Sequence, residues 1–344
     1  MAPQVLVGAT TLLDTLPHVQ RFVSGNLAGG LDHLVVFLDR PAAEGQDEVA
    51  AFLDAHPQVT CVRAGKGWWG EHRPRRLNDR QCTNANVVKH LVAGSGGVDW
   101  VFHVDGDEVV RLERDALAAV PADLPAVRLH PREAVARERW DGEPDLFKRE
   151  LDDDDLALLH ALGVLDEASN KAYFRGHVQG KSGVRPSARA WLGLHRVVDA
   201  ADAEVEAASD ERFELFHYES YSGEDFVRKW TAMVASGPTA RFRPGRASTA
   251  RGLRALIGKD LPPERLRAHL LEIFRRTRLD DAETLRELGL LLETDPLDGD
   301  HRPTPLPAPA ATALADGLDR LRGADKAEHL GPPAREPGGG WLRR

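Results

Sequence analysis

Apolar runs of strand length alternate with segments of helical periodicity over the first 110 residues, and this order restricts the chain to few folds. Residues 4–9 and 33–39 are typical of buried strands, and apolar residues repeat at helical spacing in the segments that follow them. Such alternation predicts an α/β, Rossmann-like fold with a mostly parallel central sheet and helices on both faces. Ligands of such sheets bind beyond the carboxyl ends of the strands.

Composition excludes several classes of protein. The 344 residues are 42% apolar and 29% charged, which is typical of a soluble globular chain, and no apolar run approaches the roughly 18 residues that span a bilayer. A net charge of −9 argues against nucleic acid as a partner. Because the amino terminus lacks the features of a secretory signal, we predict a cytoplasmic protein without a transmembrane segment, and peripheral association at the inner membrane face stays open.

The composition and periodicity change along the chain and predict its domains. Strict alternation ends near residue 110, beyond which we predict an acidic helix over 150–163 and a strand near 171–175. We predict a first domain over 1–221, which divides into parts over 1–110 and 111–221, a helical C-terminal region over 222–300, and a mobile tail over 301–344. The tail is rich in Pro, Ala and Gly and offers few residues for a core.

An acidic run follows the last strand of the alternating region. The segment WVFHVDGDEVV places Asp105, Asp107 and Glu108 within four residues at the end of an apolar strand. Neighbouring carboxylates in a partly dry site raise one another's pKa unless a positive charge balances them. A divalent cation such as Mg²⁺ or Mn²⁺ accepts carboxylate oxygens and keeps positions for substrate phosphates, so the run predicts a metal site.

Two basic segments could meet an anionic ligand. Residues 171–189 hold five Lys or Arg and no acid, and their glycines allow a close backbone approach, so Lys181 and Arg185 are predicted to contact an anionic ligand. Residues 63–80 combine basic residues with Trp68 and Trp69, which predicts a loop whose indoles stack on a sugar or a base.

The segment WVFHVDGDEV resembles the DxD region of GT-A glycosyltransferases, specifically the family-2-like group. Other motifs resemble the group in the same order and extend the resemblance over residues 4–235; they are Asp39, Arg80-Gln81 with Asn84, KAYFRGHVQGKSGVRP, the GLH that ends at His195, and HYESYSGEDFVRKW. The chain departs from the group at Thr10-Thr11, where relatives have Asn-Glu, and at 40–42, where relatives have an acidic loop.

The resemblance implies a GT-A catalytic domain over 1–221, with a nucleotide-sugar half over 1–110 and an acceptor half over 111–221. It implies a metal-dependent enzyme that moves a sugar from a nucleoside-diphosphate sugar to a hydroxyl acceptor. The acceptor could be a glycan, a lipid-linked molecule or a small molecule. It implies a Mn²⁺ or Mg²⁺ site formed by Asp105, Asp107 and His217, with His195 as the reserve for the last position. The implied donor contacts are Asp39, Arg80, Asn84, Asp105, Lys181 and Arg185. Asp107 is implied as catalytic, and the candidate bases for an inverting reaction are Glu133, Asp141 and Glu219.

Two other readings stay open at this stage. Residues 105–109 also match DxDxV, a motif of haloacid-dehalogenase-like phosphatases, in which the first Asp is the nucleophile. In that fold the strand before the motif is usually the first strand of the domain. Here three predicted strands precede it. The third reading is a non-catalytic GT-A-like protein that binds a sugar or a nucleotide.

Overall fold

The computed structural model describes residues 4–235 and 244–332, with the side chains of 235 and 244–248 left aside. The elements up to residue 118 are, in chain order, β1 (Leu6–Leu12), α1 (Leu16–Ala28), β2 (His33–Leu38), α2 (Gln46–Ala55), β3 (Val59–Arg63), α3 (Lys66–Trp69), α4 (Leu77–Ala93), β4 (Trp100–His103), β5 (Glu108–Leu112) and α5 (Arg114–Ala118). The later elements are β6 (Ala126–Ala134), β7 (Leu146–Lys148), α6 (Asp153–Ala161), α7 (Asn170–Tyr173), β8 (Lys181–Val184), β9 (Trp191–Leu192), β10 (Val197–Val198), β11 (Ala207–His217), α8 (Gly223–Ala235), α9 (Pro244–Ile257), α10 (Pro263–Thr277), α11 (Ala282–Glu287), β12 (Leu291–Glu293), α12 (Ala308–Arg320) and a 3-10 turn (Ala327–His329).

The first of two compact units comprises Met1–His130, Gln179–Leu215 and Pro296–Arg344. Its strands lie in the order β6-β8-β4-β1-β2-β3, with the first half of β6 at the edge. The four strands β4, β1, β2 and β3 are parallel, whereas β8 is antiparallel to both of its neighbours. The predicted fold class, α/β with a mostly parallel Rossmann-like sheet flanked by helices, is confirmed.

Strand β2 shows why this sheet needs helices on both faces. Leu34 and Val36 belong to the apolar cluster that contains side chains of α1 and α2, whereas Val35 and Phe37 belong to the cluster that contains side chains of α4 and α12. Successive strand residues point to opposite faces, so a strand buried on both sides is apolar throughout. This explains the uninterrupted apolar run over 34–38.

The second unit comprises Pro131–Val178 and Phe216–Asp295. In it β7 is antiparallel both to the end of β6 and to β12, and α8, α9 and α10 share an apolar cluster around Phe226 and Phe274. Helices α8, α9 and α10 fall within residues 222–300. Both compact units are assembled from separate segments of the chain, whereas the predicted domains are consecutive segments.

The predicted strand near 171–175 is wrong. Residues 170–173 form the single turn α7, and the hydroxyl of Ser169 caps it by accepting a hydrogen bond from the backbone N of Ala172, at 3.3 Å. A local cap of this kind favours a helical start over an extended strand.

Residues 301–332 belong to the first unit and pack into it, whereas the sequence predicts a mobile tail there. Leu314 and Leu318 of α12 are buried in the same cluster as α4. The imidazole of His301 and the backbone N of Thr304 contact Asp32 Oδ1, at 2.9 and 2.8 Å. The alternating prolines lead into an amphipathic helix, and residues 333–344 lie outside the described part of the chain.

No helix in the described ranges is long and apolar enough to cross a membrane.

Deleting residues 301–344 is therefore expected to destabilise the protein. Exposure of Leu314 and Leu318 alone removes about 3–6 kcal/mol of hydrophobic burial, and Asp32, which is fully buried, loses two hydrogen-bond donors. Urea unfolding of the full chain, of a chain that ends at 332 and of one that ends at 300 measures the effect. Equal midpoints for the two truncations would contradict the packing role of residues 301–332.

Candidate active site

The acidic turn that follows β4 is held in place by two buried partners. Gln81 Nε2 donates to Asp105 Oδ1 at 2.6 Å, and Lys181 Nζ donates to Asp105 Oδ2 at 2.7 Å. The backbone N of Asp105 donates to Glu108 Oε2 at 2.7 Å, so the turn also closes on itself. Both oxygens of Asp105 are thereby oriented by the chain.

Lys181 supplies part of the positive charge that the acidic run requires. Its side chain is fully buried, and Nζ lies 2.7 Å from Asp105 and 3.9 Å from Glu108. Burial by itself lowers the pKa of Lys181, but the two carboxylates outweigh that effect and the pKa is raised. The sequence predicts Lys181 to contact a diphosphate; in the structure its contacts are these carboxylates and the carbonyl of Leu194.

Helix α4 carries a polar row that contacts the carboxyl ends of three strands. Arg80 forms two hydrogen bonds with Asp39 beyond β2, at 2.6 and 2.8 Å, and Gln81 contacts Asp105 beyond β4. Asn84 Nδ2 donates to Thr11 Oγ1 of β1 at 2.8 Å. Residues three and four apart lie on one side of a helix, so a single helix face lines this edge of the sheet.

Asp39 belongs to a basic environment. Besides Arg80 it accepts a hydrogen bond from Arg73 Nη2, at 3.1 Å, and its side chain is only 6% exposed. The structure thus brings Asp39, Arg80, Asn84, Asp105 and Lys181 together at one edge of the first unit. These five residues are part of the predicted site.

The prediction that Trp68 and Trp69 lie in a loop and stack on a ligand is wrong. Both indoles are buried in the core of the first unit, and residues 66–69 form the turn α3. The indole N–H of Trp68 donates to Asn84 Oδ1 at 3.0 Å, so this tryptophan orients a residue of the polar row. Glycines on both sides of the pair had suggested an open loop.

Arg185 is not brought to the acidic turn. Its guanidinium donates to the backbone carbonyls of Leu124 and Val120, at 3.1 and 3.0 Å, and lies 4.2 Å above the Trp100 ring. Strand β8 is antiparallel to β4, so Lys181 at its start is near the carboxyl end of β4 and Arg185 just past its end is near the amino end. Four residues of strand separate the two by about 13 Å.

Glu133, a predicted base, is enclosed in the second unit. Its carboxylate forms an ion pair with Lys148 at 2.8 Å and accepts hydrogen bonds from the backbone N of Arg175, at 2.6 Å, and of Gly176. Burial alone raises the pKa of Glu133, but Lys148 and His217 outweigh burial and the pKa is lowered. A carboxylate held ionised in this way fits a structural role, whereas a base needs access to its proton donor.

His217 and Glu219 lie side by side at the end of β11 in the second unit. His217 Nε2 is 3.8 Å from Glu219 Oε2, and the His217 ring stacks on that of His177 with centroids 4.8 Å apart. Glu219 also accepts a hydrogen bond from Lys229 Nζ at 2.8 Å. A Cβ on Gly176 would lie 2.6 Å from both Glu133 and His217, so only glycine fits there.

Asp141 is exposed, and His195 lies in the first unit.

Residues of the acidic turn are suited to a hard divalent cation. Asp105, Asp107 and Glu108 supply carboxylate oxygens, which Mg²⁺ and Mn²⁺ prefer, and Lys181 lies within 4 Å of Asp105 and Glu108. In the second unit His217 Nε2 lies 3.8 Å from Glu219 Oε2, so an imidazole and a carboxylate are side by side there as well. The residues present therefore fit a metal ion.

Several residues with direct contacts were missed as site residues from the sequence. From the sequence, Gln81 is only part of the Arg80-Gln81 motif, and Thr11 is only a position at which the chain departs from the resembled group. His103, whose pKa burial and the nearby Lys181 lower to about 4, lies 3.7 Å from Asp105. His103 and Asp105 are separated by two positions on a strand that leads into the acidic turn, and this same-face spacing was the available signal.

Comparison with known proteins gives a limited result. No protein-family model matches the chain, and no curated protein matches it. One similar solved structure is the mannosyltransferase PcManGT from Pyrobaculum calidifontis in complex with GDP-Man and Mn²⁺, 12% identical, with 84% of this chain and 81% of that chain covered and a TM-score of 0.31. Similarity of this size supports no functional argument, so function must be argued from the residues of this chain.

Proposed function

We propose that the protein is a metal-dependent glycosyltransferase, which moves a sugar from a nucleoside-diphosphate sugar to a hydroxyl acceptor. One observation carries the proposal: Asp105, Asp107 and Glu108 follow β4 directly at the carboxyl edge of the parallel strands, and Gln81 and Lys181 orient both oxygens of Asp105 there. Carboxylate oxygens grouped in this way are the ligands that a hard divalent cation prefers. The carboxyl edge of a parallel sheet is also where nucleotides bind.

The residues of the first unit would divide the work of donor binding. Asp107 and Asp105 would hold Mn²⁺ or Mg²⁺, and the cation when bound would offset the negative charge of the donor diphosphate. Asp39 and Arg80, fixed to each other at 2.6 Å, would meet the nucleoside beyond β2. Lys181 and Gln81 would keep the Asp105 carboxylate oriented while the donor enters and leaves.

In the transfer itself, the acceptor oxygen bonds to the anomeric carbon and the bond from that carbon to the diphosphate oxygen breaks. The acceptor proton passes to a base or to solvent, and the nucleoside diphosphate leaves. Of the predicted bases, Glu133 is enclosed and Asp141 is exposed on the surface. Glu219 remains the candidate base. We also propose His217 as a metal ligand, and the manganese affinity of a His217→Ala variant tests this role.

The phosphatase alternative gains one observation, since a lysine does contact Asp105. Two features oppose it: strands β1, β2 and β3 precede β4, and Asp105 Oδ1 and Oδ2 both accept short hydrogen bonds, which lower the reactivity of a nucleophilic carboxylate. The non-catalytic alternative predicts nucleotide binding without turnover.

A thermal-shift screen of the full chain tests the proposal. Each common nucleoside diphosphate is added with Mn²⁺ or with EDTA, and vanadate and beryllofluoride serve as phosphate mimics. We expect one nucleoside diphosphate to raise the melting temperature by about 2 °C or more, and only with Mn²⁺. A response to the phosphate mimics alone would favour the phosphatase, and no nucleotide response would overturn the proposal.

A further inference from the structure

A cavity of about 260 Å³ lies in the first unit between the hairpin of β9 and β10 and the chain that follows α12. Trp191, His195, Arg196 and Asp202 line it together with Gln179 and Leu330. Pockets for drug-sized ligands start at roughly 300 Å³, so this cavity has room for one ring-sized molecule. We infer that it binds a neutral sugar residue of the acceptor, an inference that rests on the proposed function.

Charge at the cavity favours a neutral ligand. Arg196 Nη2 donates to Asp202 Oδ1 at 3.2 Å, so the cation and the anion of the lining already balance each other. A phosphate or carboxylate pocket needs a surplus of positive charge, and a carboxylate in the lining opposes it. Sugar hydroxyls both donate and accept, and the lining offers an acceptor in Asp202 and donors in Arg196 and Gln179.

Trp191 adds an apolar surface to this polar lining. Trp191 is half-buried at the cavity. The exposed Leu330, in the chain that follows α12, also lines the cavity. A sugar ring has an apolar C–H face and a rim of hydroxyls, so an aromatic face next to paired charges suits it. A purely apolar ligand would displace water from Arg196 and Asp202 without replacing the hydrogen bonds that water makes to them.

The cavity wall is joined to the acidic turn. The carbonyl of Leu194, which lines the cavity, accepts a hydrogen bond at 3.0 Å from Lys181 Nζ, and the same ammonium contacts Asp105. The neighbouring His195 contacts the carbonyl of Gly180 at 3.0 Å, one residue before Lys181. A sugar bound here would therefore lie beside the residues that we propose to hold the donor.

Asp202→Asn is a conservative test of this site. Asp202 has φ of 58°, a left-handed conformation that Asn also adopts readily, so the exchange removes the charge while the backbone is kept. Asp316→Asn, on the exposed side of α12, is the matched control. Saturation-transfer NMR measures binding of methyl glycosides of neutral hexoses, of a methyl hexuronide and of inorganic phosphate to the wild type and to both variants.

We expect a neutral methyl glycoside to bind the wild type and Asp316→Asn equally, and to bind Asp202→Asn about tenfold more weakly. Any binding of the hexuronide or of phosphate should be the same in the wild type and in Asp202→Asn. Absence of glycoside binding, or equal binding by all three proteins, overturns the inference. The readout needs neither donor nor metal, so failure of the nucleotide screen and failure of this test are distinguishable. Arg196→Gln provides a second variant should Asp202→Asn unfold.

Discussion

Asp107→Asn is expected to abolish metal-dependent transfer while the melting temperature of the protein changes little. The exchange preserves the shape of the side chain and removes one of the two carboxylates that we propose as metal ligands, so Mn²⁺ affinity should fall by about 10-fold or more and turnover by about 100-fold or more. Isothermal titration with Mn²⁺ gives the affinity, and release of the nucleoside diphosphate gives the turnover.

Asp105→Asn separates this role from a structural one. Asp105 is the partner of Lys181 and Gln81, and its loss leaves a fully buried ammonium with a weaker set of partners, so this variant should also lose stability. Asp316→Asn should match the wild type in every assay. Wild-type turnover with unchanged metal dependence in Asp107→Asn would refute the assignment of the acidic turn.

Glu133→Gln is expected to lower the free energy of unfolding by about 1–3 kcal/mol at pH 7, because buried Lys148 loses its nearest carboxylate, at 2.8 Å, and keeps Asp280 at 3.1 Å. The pKa of Glu133 is lowered in the folded protein, so its charged form stabilises the fold at pH values above its ordinary pKa of 4.5. This contribution is lost as the pH falls through the lowered pKa. The stability difference from wild type should therefore be constant near neutrality and shrink in acid.

Urea unfolding at several pH values measures this difference, with Glu167→Gln, an exposed position in the same unit, as the control. If Glu133 were the catalytic base, the Gln variant would keep wild-type stability and lose turnover per folded molecule. A midpoint that falls at neutral pH and recovers toward wild type in acid supports the structural role. This pair of readouts therefore decides between the sequence-based and the structure-based assignments of Glu133.

Local periodicity was sufficient to predict the parallel part of the sheet and the position of the acidic turn. The uninterrupted apolar run of β2 requires cover on both faces, and the carboxylates at 105–108 must then lie at the carboxyl edge, whatever the later chain does. These features depend on neighbours in the sequence, and short-range physics determines them.

Several side-chain roles depend on partners that are far away in the sequence. Arg185 and Lys181 look equivalent in one basic segment, but the antiparallel register of β8 against β4 sends them to opposite ends of a strand. Glu133 looked available until Lys148 and the backbone of residues 175 and 176 enclosed it.

The tryptophans and the tail follow the same rule. Trp68 lies under Lys326, whose ammonium is 4.2 Å from its ring and donates to its carbonyl, so a residue 258 positions away helps to bury what looked like an open loop. The sequence by itself determined where strands, helices and charges occur, because these depend on local spacing. Only the tertiary structure decided which charges neutralise each other and which are placed to meet a ligand, because ion pairing and burial depend on distances that the fold sets.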